Sequence, residues 1–116
     1  MSSAQSRKAK GRRLQQEVRD LILETYKDVL EPDDVRSTSM GASGEDLLLS
    51  PVARKLFPFS VECKNQEKLN IWSSLEQAED NAGQHIPLLV FKRNRSKTYI
   101  SMEINDLIKI LNDKKE

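Results

Sequence analysis

A single cysteine, Cys63, and a single histidine, His85, stand in a chain of 116 residues. The lone thiol excludes an internal disulfide, and one cysteine with one histidine cannot assemble a Cys/His zinc site. Cys63 is then most simply a small core residue. No apolar run approaches the roughly 20 residues that a membrane-spanning helix needs. No apolar segment follows the basic residues near Met1, as a secretory signal would require. These absences point to a protein that works inside a cell, in the cytoplasm and without a membrane. Internal repeats and a second domain are lacking too, and the length suits one small domain with one core.

Net charge is also scarce, at +1, but it is unevenly spread. Residues 1–13 hold Arg7, Lys8, Lys10, Arg12 and Arg13 with no acid, and Lys92, Arg93, Arg95 and Lys97 form a second cluster. Each cluster alone reads as a solvated tail or turn; together, on a near-neutral chain, they suggest an anionic partner met on one face.

Periodicity divides the chain. Residues 1–10 read as a flexible basic tail and 11–116 as the folded domain. Leu14, Val18, Leu21, Ile22, Thr25 and Val29 recur at helical spacing and predict a helix over 12–29, with Glu17 at the edge of its apolar stripe. Pro32 breaks it. Strands are expected over 35–38 and 46–50, separated by the flexible loop 39–44, and 51–58 reads as a connection. Phe59-Ser60-Val61-Glu62-Cys63-Lys64-Asn65 alternates as a strand does, with Phe59, Val61 and Cys63 on one face and Ser60, Glu62 and Lys64 on the other. A helix over 71–82, stopped by Gly83, carries Ile71, Leu75, Ala78 and Ala82. Leu88 to Phe91 fits a strand buried on both faces, Lys92 to Lys97 a basic turn, and 98–102 a last strand. Asn105 is the expected cap of a C-terminal helix with Leu107, Ile108 and Leu111. The order α-β-β-β-α-β-β-α predicts an α/β fold, a mixed sheet flanked by helices.

Glu62 and Lys64 alone would read as an ion pair on a half-exposed strand. Asp46, at the mouth of the preceding apolar strand, shifts the reading, because a carboxylate there and Glu-x-Lys on the next strand can converge on a divalent metal. The ordered set Glu17, Asp46, Glu62, Lys64 resembles the PD-(D/E)XK nuclease superfamily, with its restriction-endonuclease-like α-β-β-β-α-β core. Lys10-Gly11 ahead of Glu17, and Arg36-Ser37-Thr38-Ser39-Met40-Gly41 ahead of Asp46, look like the Holliday junction resolvases of archaeal and phage type. One departure is Glu45, which stands where the motif has proline.

The resemblance implies a metal-dependent DNA endonuclease acting on branched DNA, with Mg²⁺ as cofactor, Mn²⁺ substituting for it, and no organic cofactor. It implies Asp46, Glu62, the Cys63 carbonyl and Glu17 as metal ligands, Lys64 as a group that orients water or stabilises charge, and Gln77 as a further catalytic candidate on the following helix. Mg²⁺ suits such a set, because it takes oxygen ligands, neutralises phosphate charge and lowers the pKa of bound water. Lys8, Lys10, Arg12, Arg13, Arg36, Ser37, Ser39, Lys92, Arg93, Arg95 and Lys97 are the candidates for DNA contact. Products with 5′-phosphate and 3′-hydroxyl ends, and a role in recombination, are implied in the same way. The alternatives are a nicking, single-strand-specific or restriction-type nuclease of the same fold, or a catalytically inactive nucleic-acid-binding module.

Resolving a four-way junction takes two cuts, and one chain supplies one site, so a homodimer is expected. Phe57, Trp72 and Ile110 are candidate interface residues, Trp72 more as a core or interface anchor than as a platform for base stacking.

Overall fold

The computed structural model describes residues 4–38 and 44–114. Ser39, Met40 and Gly41 of the expected loop lie outside the described residues. The elements run α1 (Ala4–Thr25), a 3₁₀ turn (Pro32–Asp34), β1 (Val35–Ser37), β2 (Leu47–Leu49), α2 (Pro51–Leu56), β3 (Phe59–Asn65), α3 (Ile71–Ala82), β4 (Ile86–Lys92), β5 (Tyr99–Ser101) and α4 (Ile104–Asp113). They form one compact α/β domain of the restriction-endonuclease-like kind, with mixed sheets flanked by helices.

β1 and β2 are antiparallel, while β4 pairs in parallel with β3 and antiparallel with β5. The two sheets meet at one residue: the Asp46 amide donates to the Val61 carbonyl at 2.9 Å. The parallel β3–β4 pair needs a crossover, and α3 supplies it. Asn70 starts α3 by accepting from the Ser73 amide at 3.0 Å, and Gly83, at φ 59°, ends it in a conformation that L side chains rarely adopt. The core lies between α1 and one sheet face, where Leu14, Val18 and Ile22 meet Val35, Leu47, Val61, Cys63, Leu88 and Val90.

Several expectations are corrected. α1 begins at Ala4, so residues 4–10 are its first turns rather than a tail. Their side chains give no apolar stripe, yet most are good helix formers. Leu21, Thr25 and Val29 of the expected stripe are exposed, and Gln15 is buried in their stead. The connection 51–58 contains α2, started by Pro51 in its first turn and by Ser50, whose hydroxyl accepts from the Ala53 amide. Glu103, not Asn105, caps α4, its Oε2 accepting from the Asn105 amide at 2.7 Å. Trp72 is 79% exposed and is no core residue. Phe57 packs edge-on against Phe59 beside the core, and Ile110 is half-buried. No described helix is long and apolar enough to cross a membrane.

Candidate active site on the central strand

The alternation of β3 assigns its side chains to two different neighbours. Val61 and Cys63 enter the core under α1. Glu62 and Lys64 face α3, and Asn81 of that helix donates from Nδ2 to Glu62 Oε1 at 3.3 Å. Lys64 Nζ stands 3.7 Å from Glu62 Oε2. Glu62 is only 3% exposed, so its carboxylate sits almost wholly out of bulk water with one amide and one ammonium for company.

Asp46 approaches from the other side. Its Oδ2 accepts from the Cys63 amide at 2.7 Å, so the side chain replaces a ladder bond where β2 splays from β3. Gln15, buried at 3% exposure on α1, also hydrogen-bonds to the Asp46 carboxylate, and its Oε1 accepts from the Ser37 hydroxyl at 3.1 Å. An amide inside an apolar helical stripe was the sequence signal for Gln15, as was a polar residue beside Ala82, one turn after Ala78, for Asn81. Both were missed because their partners come from distant elements.

Burial lifts the Asp46 carboxyl above its ordinary range, against the Cys63 amide, the Lys64 charge and Gln15. Burial lifts Glu62 as well, and the Asp46 charge adds to it, opposed by Asn81 and Lys64. The two carboxylates thus repel each other, and the Lys64 ammonium offsets both. The Cys63 thiol is pushed up by burial and by Asp46, Glu62 and Glu17, so it remains protonated and inert.

These shifts fix a pH dependence. With both folded pKa values raised, the folded chain holds protons that the unfolded chain has released. The full contribution to stability is present below about pH 4, the ordinary carboxylate range, and is lost as pH rises through the raised folded values. In chelator, wild type should therefore lose stability towards neutral pH relative to an Asp46→Asn/Glu62→Gln protein. Urea unfolding at a series of pH values measures this, and a difference that does not vary with pH would contradict it.

The remaining sequence candidates fall into three places. Glu17 is exposed on α1, and its Oε2 accepts from the Thr98 hydroxyl at 3.1 Å. Among the described residues no three Asp, Glu, His or Cys side chains are grouped tightly enough to hold a metal. The candidate donors at β3 are the Asp46 and Glu62 carboxylates and the neighbouring Cys63 carbonyl, and an ion that binds through one or two carboxylates and keeps its waters would suit them. Gln77 is exposed one turn before Asn81, and Asn81 makes the contact with Glu62.

The basic residues gather at the end of β3 that carries Lys64. Asn65 Nδ2 donates to the Lys10 carbonyl at 3.2 Å, while Asn65 pairs with Lys92 across the β3–β4 ladder. One residue thus ties α1, with exposed Lys8, Arg12 and Arg13, to the turn with exposed Arg93, Arg95 and Lys97. Glu67 Oε2 holds that turn through the Asn94 amide at 2.6 Å, and Arg95 takes a left-handed φ of 65°. Arg36 is exposed on β1, and Ser37 is occupied with Gln15.

Comparison with curated proteins and with solved structures finds no match to either. The model of one protein family, described as "Phage putative PDDEXK endonuclease", matches residues 6–116. That span holds α1 from Ser6 onward, Asp46, the Glu62-x-Lys64 strand and both basic clusters, and the chain belongs to this family of PD-(D/E)XK nucleases.

Proposed function

We propose that the protein is a divalent-metal-dependent DNA endonuclease that hydrolyses phosphodiester bonds in branched DNA as a homodimeric Holliday junction resolvase, acting in the cytoplasm of a phage-infected host. The observation that carries this reading is the buried Glu62 with the partly buried Asp46 and with Lys64 beside it, at the sheet end where two basic clusters meet. Mg²⁺, with Mn²⁺ as substitute, held by Asp46, Glu62 and the Cys63 carbonyl, with Glu17 contributing through water, would supply charge neutralisation and an acidified water. Lys64 would orient the attacking water or stabilise the charge that develops on the phosphate. Asn81 and Gln15 fix the two carboxylates. Gln77 remains a candidate for contact with substrate on the exposed side of α3. Lys8, Lys10, Arg12, Arg13, Arg36, Lys92, Arg93, Arg95 and Lys97, with Ser37 and Ser39, contact the backbone, which positions DNA without reading sequence.

The test is incubation of the protein with Mg²⁺ and labelled four-way junction, fork, duplex and single strand. Paired cuts on opposing strands of the junction are expected, with 5′-phosphate ends. Cuts confined to single strands or nicks would replace the resolvase by a nicking or single-strand-specific nuclease. Binding with no cleavage of any substrate would leave an inactive binding module.

A second expectation concerns salt. Replacing Lys8, Arg12 and Arg13 by alanine should weaken binding to all sequences alike. It should also reduce the slope of log K against log salt by about one unit per lost phosphate contact. Fluorescence anisotropy at several salt concentrations measures the slope, and an unchanged slope would remove α1 from the DNA interface.

A further inference from the structure

α4 presents an apolar stripe to solvent. Ile104, Leu107, Ile108 and Leu111 follow the i, i+3, i+4, i+7 spacing of one helical face, yet they are 68%, 40%, 49% and 53% exposed, and no residue of α4 is buried. Its other side carries Asp106, Lys109, Ile110 and Asp113, which share a cleft with Ile86 and Pro87 of β4. An amphipathic helix of ten residues is marginal on its own in water and takes its stability from a covered apolar face. Ile100, 61% exposed on the edge strand β5, adds to the uncovered apolar area just before the helix.

We propose that this face is the homodimer interface, covered by α4 of a second copy packed antiparallel about a two-fold axis near Leu107 and Ile108. The charges beside the stripe argue for a second copy. Glu103 is the N-cap of the helix and Lys114 its C-cap, one at each end. A two-fold axis perpendicular to the helices runs the two copies in opposite directions. The Glu103 end of each copy then lies at the Lys114 end of the other, whereas parallel packing would put the two Glu103 ends together. In this register Ile104 meets Leu111, and Leu107 meets Ile108. The inference rests on the homodimer of the proposed function and names its surface.

Light scattering of the full chain at micromolar concentration should give twice the 13.3 kDa chain mass. Ile108→Asp should halve that mass while its circular dichroism and unfolding midpoint under dimer-free dilution stay those of wild type, since the side chain is exposed. Cysteines then test the orientation against wild type, whose buried Cys63 serves as control. Ile108→Cys should cross-link to itself on oxidation. Ile104→Cys alone should not, because its two copies stand about 10 Å apart along the axis, beyond the roughly 7 Å limit for a disulfide. A mixture of Ile104→Cys and Leu111→Cys chains should cross-link. A monomeric wild type, a dimer that survives Ile108→Asp, or self-linking of Ile104→Cys would each overturn the proposal. A dimer that passes every arm yet cuts no DNA would instead overturn the proposed function and leave the interface standing.

Discussion

Asp46→Asn and Glu62→Gln proteins are expected to bind DNA and leave it uncut. Both substitutions keep shape and hydrogen-bonding capacity. Asparagine at 46 can still accept from the Cys63 amide, and glutamine at 62 can still meet Asn81. What each removes is one of the two carboxylate charges proposed to hold the cation. Loss of a group that stabilises developing charge costs on the order of 10²–10³ in rate, and loss of a ligand that also brings the cation should cost at least that. Affinity for DNA should hold if, as proposed, it comes from lysines and arginines on α1 and the Lys92–Lys97 turn. In the same series Asn81→Ala should fall in between, at about 10–100-fold, the scale for a group that orients a ligand. Single-turnover cleavage beside an anisotropy titration separates the two quantities. An Asp46→Asn protein that cuts at near wild-type rate would remove Asp46 from the site.

How far the sequence could be read depends on how local each signal is. β3 and α3 have the bounds that alternation, apolar spacing and Gly83 predict, because each signal lies inside the element. α2 was hidden by Pro51, which reads as a breaker until Ser50 is seen as a cap ahead of it. The start of α1 was hidden because a stretch of exposed basic residues offers no apolar stripe, although nothing in it opposes a helix. The exposure of Leu107, Ile108 and Leu111 could not be read at all: amphipathic spacing defines a face and says nothing about what covers it. The acidic pair was legible as an ordered set. Gln15 and Asn81 were not, since an amide's partner is fixed only when separate elements close together.

Glu45, which departs from the proline of the motif, has a local task that the sequence did not disclose, and it carries the second large expected effect. Arg54 Nη2 stands 2.7 Å from Glu45 Oε1, and Arg54 Nη1 donates to the Phe59 carbonyl at 2.6 Å. Both side chains are mostly buried, at 18% and 15% exposure. One guanidinium therefore pins the residue before Asp46 to the first residue of β3, three places ahead of Glu62. Breaking such a pair by removing one partner leaves an uncompensated charge and costs about 3 kcal/mol. That is a large fraction of the roughly 5–15 kcal/mol that holds a domain of this size together. Glu45→Met and Arg54→Met should each lower the unfolding midpoint by about 10 °C, at about 4 °C per kcal/mol. Arg54→Met should cost more, because the Phe59 carbonyl loses its donor too. A Glu45→Met/Arg54→Met double variant should be less destabilised than the sum of the two, since neither charge is then left alone. Cleavage at a temperature where each variant is folded should also fall, because the tether that sets Asp46 against β3 has been cut. Thermal unfolding of the four proteins gives the coupling directly. Strict additivity would mean that the pair is solvated and that Asp46 is held by the Cys63 amide and Gln15 alone.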